Sequence, residues 1–247
     1  MTMLQSKIFL HVEENAAAVA ETAAKIISRQ AKVAIAERNI FRIALSGGST
    51  PLMLFRLLRQ ESWRREIDWS KTAVYWADER CIHPENELSN YRLADIELLS
   101  SVSPANVYRM KGEEPPAQAA QMYAEDIRAS FGLSAGSMPR FDTILLGMGE
   151  DGHTASIFPG LPMQEDPKSP VAGVSLPEPQ VSRITLTLPA INNSRCCLFM
   201  VTGANKRQVL ERVLNYKKPA GLPAQLVRPH DGELHWVMDF QASPVAS

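Results

Sequence analysis

One segment of eight residues, 147–154, combines three glycines, two carboxylates and a histidine. Histidine is the side chain best suited to move protons near neutral pH. Asp151 lies two residues before His153, where its carboxylate can fix the tautomer of the imidazole and raise its basicity. A histidine in a loop is most often a surface residue, but glycines at the end of an apolar strand favour a catalytic role. We therefore predict that His153 transfers protons with Asp151 as its partner.

A second segment, residues 46–51 (Ser-Gly-Gly-Ser-Thr-Pro), runs from a predicted strand into a predicted helix. Its two glycines allow a tight turn that points successive N–H groups into one concavity. We expect Ser49 or Thr50 to cap the helix and Pro51 to occupy its first position. Free N–H groups, two hydroxyls and the positive end of a helix suit a phosphate. No Gly-Lys-Ser/Thr follows, which disfavours a nucleoside triphosphate. The alternative is a plain strand-to-helix turn.

Three charged residues, 78–80, follow another predicted strand. Charges at the end of a buried strand are costly unless they are paired or face a ligand. Arg80 can bind a phosphate in a bidentate manner, and a solvated loop with an internal ion pair is the alternative. Cys81 and His83 are two of the four ligands that a structural metal site needs, so we expect no metal here.

Two further basic residues are candidate phosphate contacts. Lys206, Leu210 and Val213 follow the i, i+4, i+7 spacing of one helical face, so Lys206 shares a face with core residues. Its position in the first helical turn directs it toward the ends of the strands. The alternative is a buried stem with a solvated ammonium group. Arg183, on the polar side of an alternating strand, is a weaker candidate.

Strands and helices must position these loops, and a hydropathy pattern that alternates between strand and helix periods predicts where they lie. The predicted strands span residues 7–12, 41–45, 72–77, 141–147, 183–188, 196–202 and 233–239, and the predicted helices span residues 13–39, 51–60, 89–99, 115–131 and 204–214. Fully apolar strands alternating with amphipathic helices indicate an α/β fold, with a mostly parallel, doubly wound sheet and helices on both faces. The loops after residues 45, 77, 146 and 201 then meet at the edge where such sheets bind ligands. We predict a single domain over residues 1–247, with residues 160–179, rich in proline, as a long loop.

Composition excludes several classes of partner. The 247 residues include 26 basic and 27 acidic side chains, for a formal net charge of −1. No overall field therefore attracts the protein to nucleic acid or to an anionic membrane. Three cysteines cannot form a disulfide framework, and the apolar runs are shorter than a membrane span. The first twelve residues have no secretory pattern, so we expect a cytoplasmic protein.

In their order along the chain, these segments together resemble the 6-phosphogluconolactonase family. The resembling segments are residues 44–51 (Ala-Leu-Ser-Gly-Gly-Ser-Thr-Pro), 76–80 (Trp-Ala-Asp-Glu-Arg) with Ser89 and Asn90 downstream, 147–156 (Gly-Met-Gly-Glu-Asp-Gly-His-Thr-Ala-Ser), 183–187 (Arg-Ile-Thr-Leu-Thr) and 202–206 (Thr-Gly-Ala-Asn-Lys). The resemblance implies the fold of glucosamine-6-phosphate deaminase and ribose-5-phosphate isomerase. It also implies hydrolysis of 6-phospho-D-glucono-1,5-lactone in the oxidative pentose phosphate pathway, without cofactor or metal.

The resemblance assigns roles to individual residues. His153 would be the general base for water, and the phosphate of a sugar phosphate lactone would be held by Gly47, Gly48, Ser49, Thr50, Arg80 and Lys206, with Arg183 less secure. The state of assembly is left open between monomer and homodimer.

Two other functions compete with this one. The aminosugar-phosphate deaminases of the same fold resemble the histidine loop but carry a glutamate where this chain has Phe158, before Pro159. Asp78 is a possible carboxylate for that chemistry. A sugar-phosphate sensor without catalysis is the alternative from a different class, although a sensor has no need of a base such as His153.

Overall fold

The computed structural model describes residues 7–134, 136–161 and 168–244. The strands are β1 (Lys7–Glu13), β2 (Phe41–Leu45), β3 (Thr72–Trp76), β4 (Asp78–Arg80), β5 (Asn106–Val107), β6 (Thr143–Leu146), β7 (Val171–Val174), β8 (Arg183–Leu186), β9 (Cys196–Val201) and β10 (Glu233–Asp239). The helices are α1 (Ala16–Arg38), α2 (Ser49–Leu58), α3 (Glu61–Arg64), α4 (Asn90–Ala94), α5 (Ser100–Val102), α6 (Pro116–Phe131), α7 (Leu188–Asn192), α8 (Arg207–Leu214) and α9 (Pro223–Leu226).

Seven strands form one sheet in the order β1-β10-β9-β6-β2-β3-β5, and every neighbouring pair is parallel. Helices cover both faces of this sheet. On β10, Glu233 accepts hydrogen bonds from Arg29 and Gln30 of α1, whereas Trp236, on the opposite face, donates to Tyr216 just beyond α8. The predicted α/β class with a mostly parallel, doubly wound sheet is therefore confirmed.

The central strands are apolar throughout because both of their faces are covered. Every residue of β3, β6 and β9 is buried. The core is continuous from one strand to the next, and Phe199 of β9 stacks on Trp236 of β10 with ring centroids 3.9 Å apart. Among the described helices, none has the length and apolar character needed to span a membrane.

A second, antiparallel sheet of β4, β8 and β7 was not predicted. Its first strand is the charged segment Asp78–Arg80, which lacks any apolar alternation. Its last strand, Val171–Val174, lies within the predicted loop 160–179, so that prediction is wrong there. Residues 162–167 of the same loop lie outside the described residues.

Several helix boundaries differ from the prediction for local reasons. Helix α2 begins at Ser49, preceded by Gly48 with a φ of 104°, and no side chain caps it. The expected cap by Ser49 or Thr50 and the expected first position of Pro51 are therefore wrong. The predicted helix 89–99 is α4 followed by a π-helical turn, Asp95–Leu99. The predicted helix 204–214 is a 3-10 turn, Ala204–Lys206, that continues into α8.

Helix α1 begins at Ala16 because Asn15 is extended and its side-chain oxygen accepts hydrogen bonds from the N–H groups of Ala17 and Ala18. Replacing Asn15 with alanine leaves these two donors without a protein acceptor. We expect N15A to lower the free energy of unfolding by about 1 kcal/mol, measured by urea denaturation. N15D retains the acceptor and should stay within a few tenths of a kcal/mol of the wild type. An equal loss in both variants would contradict the capping role.

Candidate active site

The loops after β2, β3, β6 and β9 line one cavity of about 270 Å³. They converge because parallel strands end at the same edge of the sheet. Seven of the predicted site residues lie in its wall, namely Gly47, Gly48, Ser49, Thr50, Arg80, His153 and Lys206. The other two predicted residues are not among the lining residues: Asp151 bonds to His153, and Arg183 pairs in register with Arg80.

The start of α2 forms one wall of the cavity. Because no side chain caps this helix, its first N–H groups remain available to a ligand. A Cβ on Gly47 would lie 1.7 Å from the side-chain oxygen of Asn90, so this close approach requires glycine. Thr50 and Thr202 join α2 to the end of β9 through a contact of 3.0 Å between their hydroxyls.

Arg80 is held in the cavity wall by its neighbours, next to the Asn90 side chain that Gly47 also approaches. Its guanidinium donates to the side-chain oxygen of Asn90 at 2.6 Å and to the carbonyl of Leu88 at 2.7 Å. Its position depends on Glu79, which is buried and accepts from the N–H groups of Arg80, Asn90 and Tyr91. Glu79 is therefore structural, whereas Arg80 retains guanidinium donors that can face an anion.

His153 is oriented by the carboxylate of Asp151. The Nδ1 atom lies 2.7 Å from Oδ1 of Asp151, and the same oxygen accepts the backbone N–H of His153 at 3.0 Å. An ionised carboxylate can only accept, so Nδ1 carries a proton, and in the neutral imidazole Nε2 therefore presents the lone pair. Partial burial alone would raise the pKa of Asp151, but its hydrogen bonds and charge interaction with His153 prevail and lower that pKa.

The glycines of this loop make room for the histidine ring. A Cβ on Gly149 would lie 2.1 Å from Nδ1 of His153 and 2.6 Å from Oδ1 of Asp151. Gly152 has a φ of 85°, and Gly149 also donates its N–H to the carbonyl of His153 at 2.9 Å. The ring contacts Phe158, with centroids 4.8 Å apart.

A buried carboxylate, Asp78, also lines the cavity. One of its oxygens accepts the Ser156 hydroxyl at 2.7 Å, and Asn90 donates its side-chain amide to the Asp78 carbonyl at 2.8 Å. Burial raises the pKa of Asp78, although the Ser156 hydrogen bond and the charge of Arg80 act against it. The predicted alternative of a solvated loop at residues 78–80 is therefore wrong for its two carboxylates.

Lys206 completes the basic part of the wall. It ends the 3-10 turn, while Leu210 and Val213 of α8 are fully buried behind it. The neighbouring Asn205 donates to the Glu150 carboxylate at 2.7 Å, which ties this turn to the histidine loop.

Arg183 is placed differently from the other predicted contacts. It pairs in register with Arg80 across β8 and β4, and its guanidinium donates to the carbonyls of Val181 and Ser182. Burial and the nearby charge of Arg80 lower its pKa.

Sequence reasoning assigned no role to several residues in the wall, above all Asn90, which contacts both Asp78 and Arg80. Its signals in the sequence are its place after Ser89, which caps α4, and its presence in a segment that carries the family resemblance. Across the described ranges, one group has the spacing of metal ligands: Cys196, Glu233 and His235. It lies in the main sheet under α1, where Arg29 already pairs with Glu233.

Fold and cavity together define an α/β protein with an oriented histidine and cationic side chains around one small site. The family model described as "Glucosamine-6-phosphate isomerases/6-phosphogluconolactonase" matches residues 14–236. The chain therefore belongs to this family.

Similarity to individual proteins supports membership of this family. A 6-phosphogluconolactonase of Synechocystis sp. is 37% identical over 227 residues, which cover 90% of this chain and 91% of the relative. The 6-phosphogluconolactonase of Homo sapiens is 35% identical over 240 residues, covering 96% and 91%. The solved structure of 6-phosphogluconolactonase from Trypanosoma cruzi superposes with a TM-score of 0.83 at 27% identity, covering 98% of each chain.

The raised pKa of Asp78 predicts a stability that depends on pH. As the pH rises, the unfolded chain loses the Asp78 proton near pH 4, whereas the folded protein keeps it to a higher pH. Asp78 therefore costs stability that grows as the pH rises toward the pKa of the folded state. Relative to the wild type, D78N should gain in free energy of unfolding between pH 3.5 and neutral pH, measured by urea denaturation. D231N, which removes an exposed carboxylate, is the control and should show no gain in that direction. A difference between D78N and wild type that does not change with pH would contradict this account.

Proposed function

We propose that this protein hydrolyses 6-phospho-D-glucono-1,5-lactone to 6-phospho-D-gluconate, a step of the oxidative pentose phosphate pathway. The observation that carries the proposal is that His153, bonded through Nδ1 to Asp151, lines the same cavity as Arg80, Lys206 and the open start of α2. Membership of a family that includes 6-phosphogluconolactonases supports the same reaction.

In the proposed complex the phosphate lies against the cationic wall. Gly47, Gly48, Ser49 and Thr50 supply the first N–H groups and hydroxyls of α2, and Arg80 and Lys206 supply charge-assisted hydrogen bonds. Arg183 acts more weakly, because its guanidinium already donates to the carbonyls of Val181 and Ser182. Binding the phosphate at a distance from the reacting carbon positions the lactone carbonyl near His153.

The proposed chemistry needs one base and no cofactor or metal. The Nε2 atom of His153 takes a proton from water as the water oxygen bonds to C1 of the lactone. N–H groups of the turn at residues 147–152, other than those of Gly149 and Gly152, which bond within the turn, stabilise the oxyanion that forms. The bond between C1 and the ring oxygen then breaks, and the imidazolium returns the proton to that oxygen. Asp151 favours the imidazolium in between, and the carboxylic acid product ionises in water.

The surroundings of His153 disfavour the deaminase chemistry. The ring that packs against His153 is Phe158, at the position where the resembling deaminase loop carries a glutamate. Asp78 is buried and bonded to Ser156, and ring opening of an aminosugar would need an additional acid–base group. Retention of an oriented base likewise disfavours the sensor.

We also infer a cytoplasmic location, because the three cysteines are free thiols, as in a reducing compartment.

A direct assay tests the reaction itself. The protein should accelerate opening of freshly generated 6-phosphogluconolactone, accelerate opening of unphosphorylated gluconolactone less, and release no ammonia from glucosamine 6-phosphate. Binding of 6-phosphogluconate without acceleration would favour the sensor, and ammonia release would favour the deaminase.

Removing the proposed base should remove most of the catalysis. We expect H153A to lower kcat by at least about 100-fold, because general base catalysis contributes on that order. Binding of 6-phosphogluconate, measured by calorimetry, should persist because the phosphate wall is intact. H230A, which removes an exposed histidine outside the cavity, is the matched control and should keep normal turnover. Normal turnover in H153A would remove this residue from the mechanism.

Removing a cation from the wall should weaken substrate capture. We expect R80A and K206A to lower kcat/KM for the phosphorylated lactone by roughly 10- to 100-fold, the worth of one hydrogen bond to a charged group. The loss on unphosphorylated gluconolactone should be much smaller. K217A, which removes an exposed lysine elsewhere, is the control for net charge. Equal losses on both lactones would contradict the phosphate-binding role.

A further inference from the structure

The first strand of the main sheet, β1, has an open outer edge. Its inner edge pairs with β10 along its whole length, and within the described ranges no strand pairs with its other side. Ile8, Phe9, Leu10 and Val12 all lie among the exposed large apolar residues, with Leu10 49% exposed. An edge strand of this kind is a template for pairing with another strand.

The backbone hydrogen bonds show which groups of β1 remain free. Lys7 donates its N–H to Gly232, and the carbonyl of Glu13 accepts from Phe240, so both residues direct their backbone groups toward β10. Backbone groups alternate sides along a strand, and therefore Ile8, Leu10 and Val12 direct theirs outward. The three residues with unpaired backbone groups thus all have exposed apolar side chains.

These three side chains extend a buried apolar surface. Ile8, Leu10 and Val12 are in register with Leu234, Trp236 and Met238 of β10, which are fully buried. The far edge of the same sheet is different, because its last strand, β5, has only two residues. Proteins commonly protect sheet edges by short strands, prolines or charges. Between Lys7 and Glu13, β1 carries none of these.

We propose that β1 pairs with β1 of a second copy of this chain, in antiparallel orientation, to form a homodimer with one continuous sheet. A second copy fits this edge because the sequence of β1 is self-complementary. With Leu10 opposite Leu10 of the second copy, Ile8 faces Val12, and Lys7 at one end of the strand faces Glu13 at the other. All three outward-facing residues then form hydrogen-bonded pairs in the antiparallel ladder.

Charge selects this register over its neighbours. Shifting the copies by two residues keeps outward-facing residues opposite one another, but it places Lys7 opposite His11 or Glu13 opposite Phe9. Only the register centred on Leu10 joins opposite charges at both ends, and such cross-strand pairs stabilise a sheet. The six side chains of Ile8, Leu10 and Val12 from the two copies then cover one another on one face.

The test is the mass of the full-length protein in solution, measured by analytical ultracentrifugation over a broad concentration series. The wild type should sediment as a dimer that dissociates on dilution. L10K should be a monomer throughout that range, because two lysines would meet at the symmetry axis. V33K alters an apolar residue of similar exposure on α1, beside Trp63 and Glu66, and should remain dimeric. A monomeric wild type, or an L10K variant as dimeric as V33K, would overturn the proposal.

A further variant separates main-chain pairing from loss of folding. L10P removes only an N–H group that faces outward, a position where an edge strand tolerates proline. It should lose the dimer while keeping the circular dichroism spectrum and thermal midpoint close to those of the wild type. Should it fail to fold, L10K still decides the question.

The register is tested by exchanging the end charges. K7E should weaken dimerisation about tenfold, because two attractive pairs become repulsive ones. The double variant K7E/E13K should recover most of the loss, although Glu13 also accepts a hydrogen bond from Thr22. Recovery supports the register centred on Leu10. Dimers unaffected by K7E would overturn that register.

Discussion

The hydrogen bond of 2.7 Å between Nδ1 of His153 and Asp151 is the interaction on which the candidate site depends. It fixes the proton on the ring nitrogen that faces the loop and leaves the lone pair on the other nitrogen. The loop can hold this geometry only because Gly149 lacks a Cβ, which would otherwise occupy the place of the imidazole. The same loop is tied by Glu150 to Asn205, next to Lys206, so the base and one cation are positioned together.

A second constraint is the burial of two carboxylates beside the cavity. Burial raises the pKa of Asp78 and of Glu79, which costs stability at neutral pH, yet both positions order other groups. Glu79 joins β4 to the start of α4 through backbone donors and thereby brings Asn90 to Arg80. Asp78 bonds to Ser156 in the loop that follows His153. Arg80 is therefore linked to the loop of His153 through the buried acids Asp78 and Glu79.

The two edge strands of the main sheet differ in length, and this difference affects how the protein can assemble. One edge ends in a strand of two residues, whereas β1 offers seven residues with an apolar strip and a charge at each end. The proposed pairing of two copies satisfies the outward backbone groups of β1 without involving the cavity, which is lined by the loops after β2, β3, β6 and β9. Catalysis and assembly are thus expected to vary independently.

The sequence by itself determined the α/β class, the strands Phe41–Leu45 and Glu233–Asp239 with their full bounds, and the four loops that line the cavity. These follow from local causes, namely apolar periodicity and the meeting of parallel strand ends at one edge. Family resemblance, confirmed by the family match, came from the same loops. Tertiary structure alone decided that Asp78–Arg80 is a strand, because its antiparallel partner, Arg183–Leu186, lies a hundred residues away. It also decided that Asn90 bonds to Arg80 and that Arg183 lies beside Arg80 on the neighbouring strand, since contacts between distant segments leave no periodic signal in the chain.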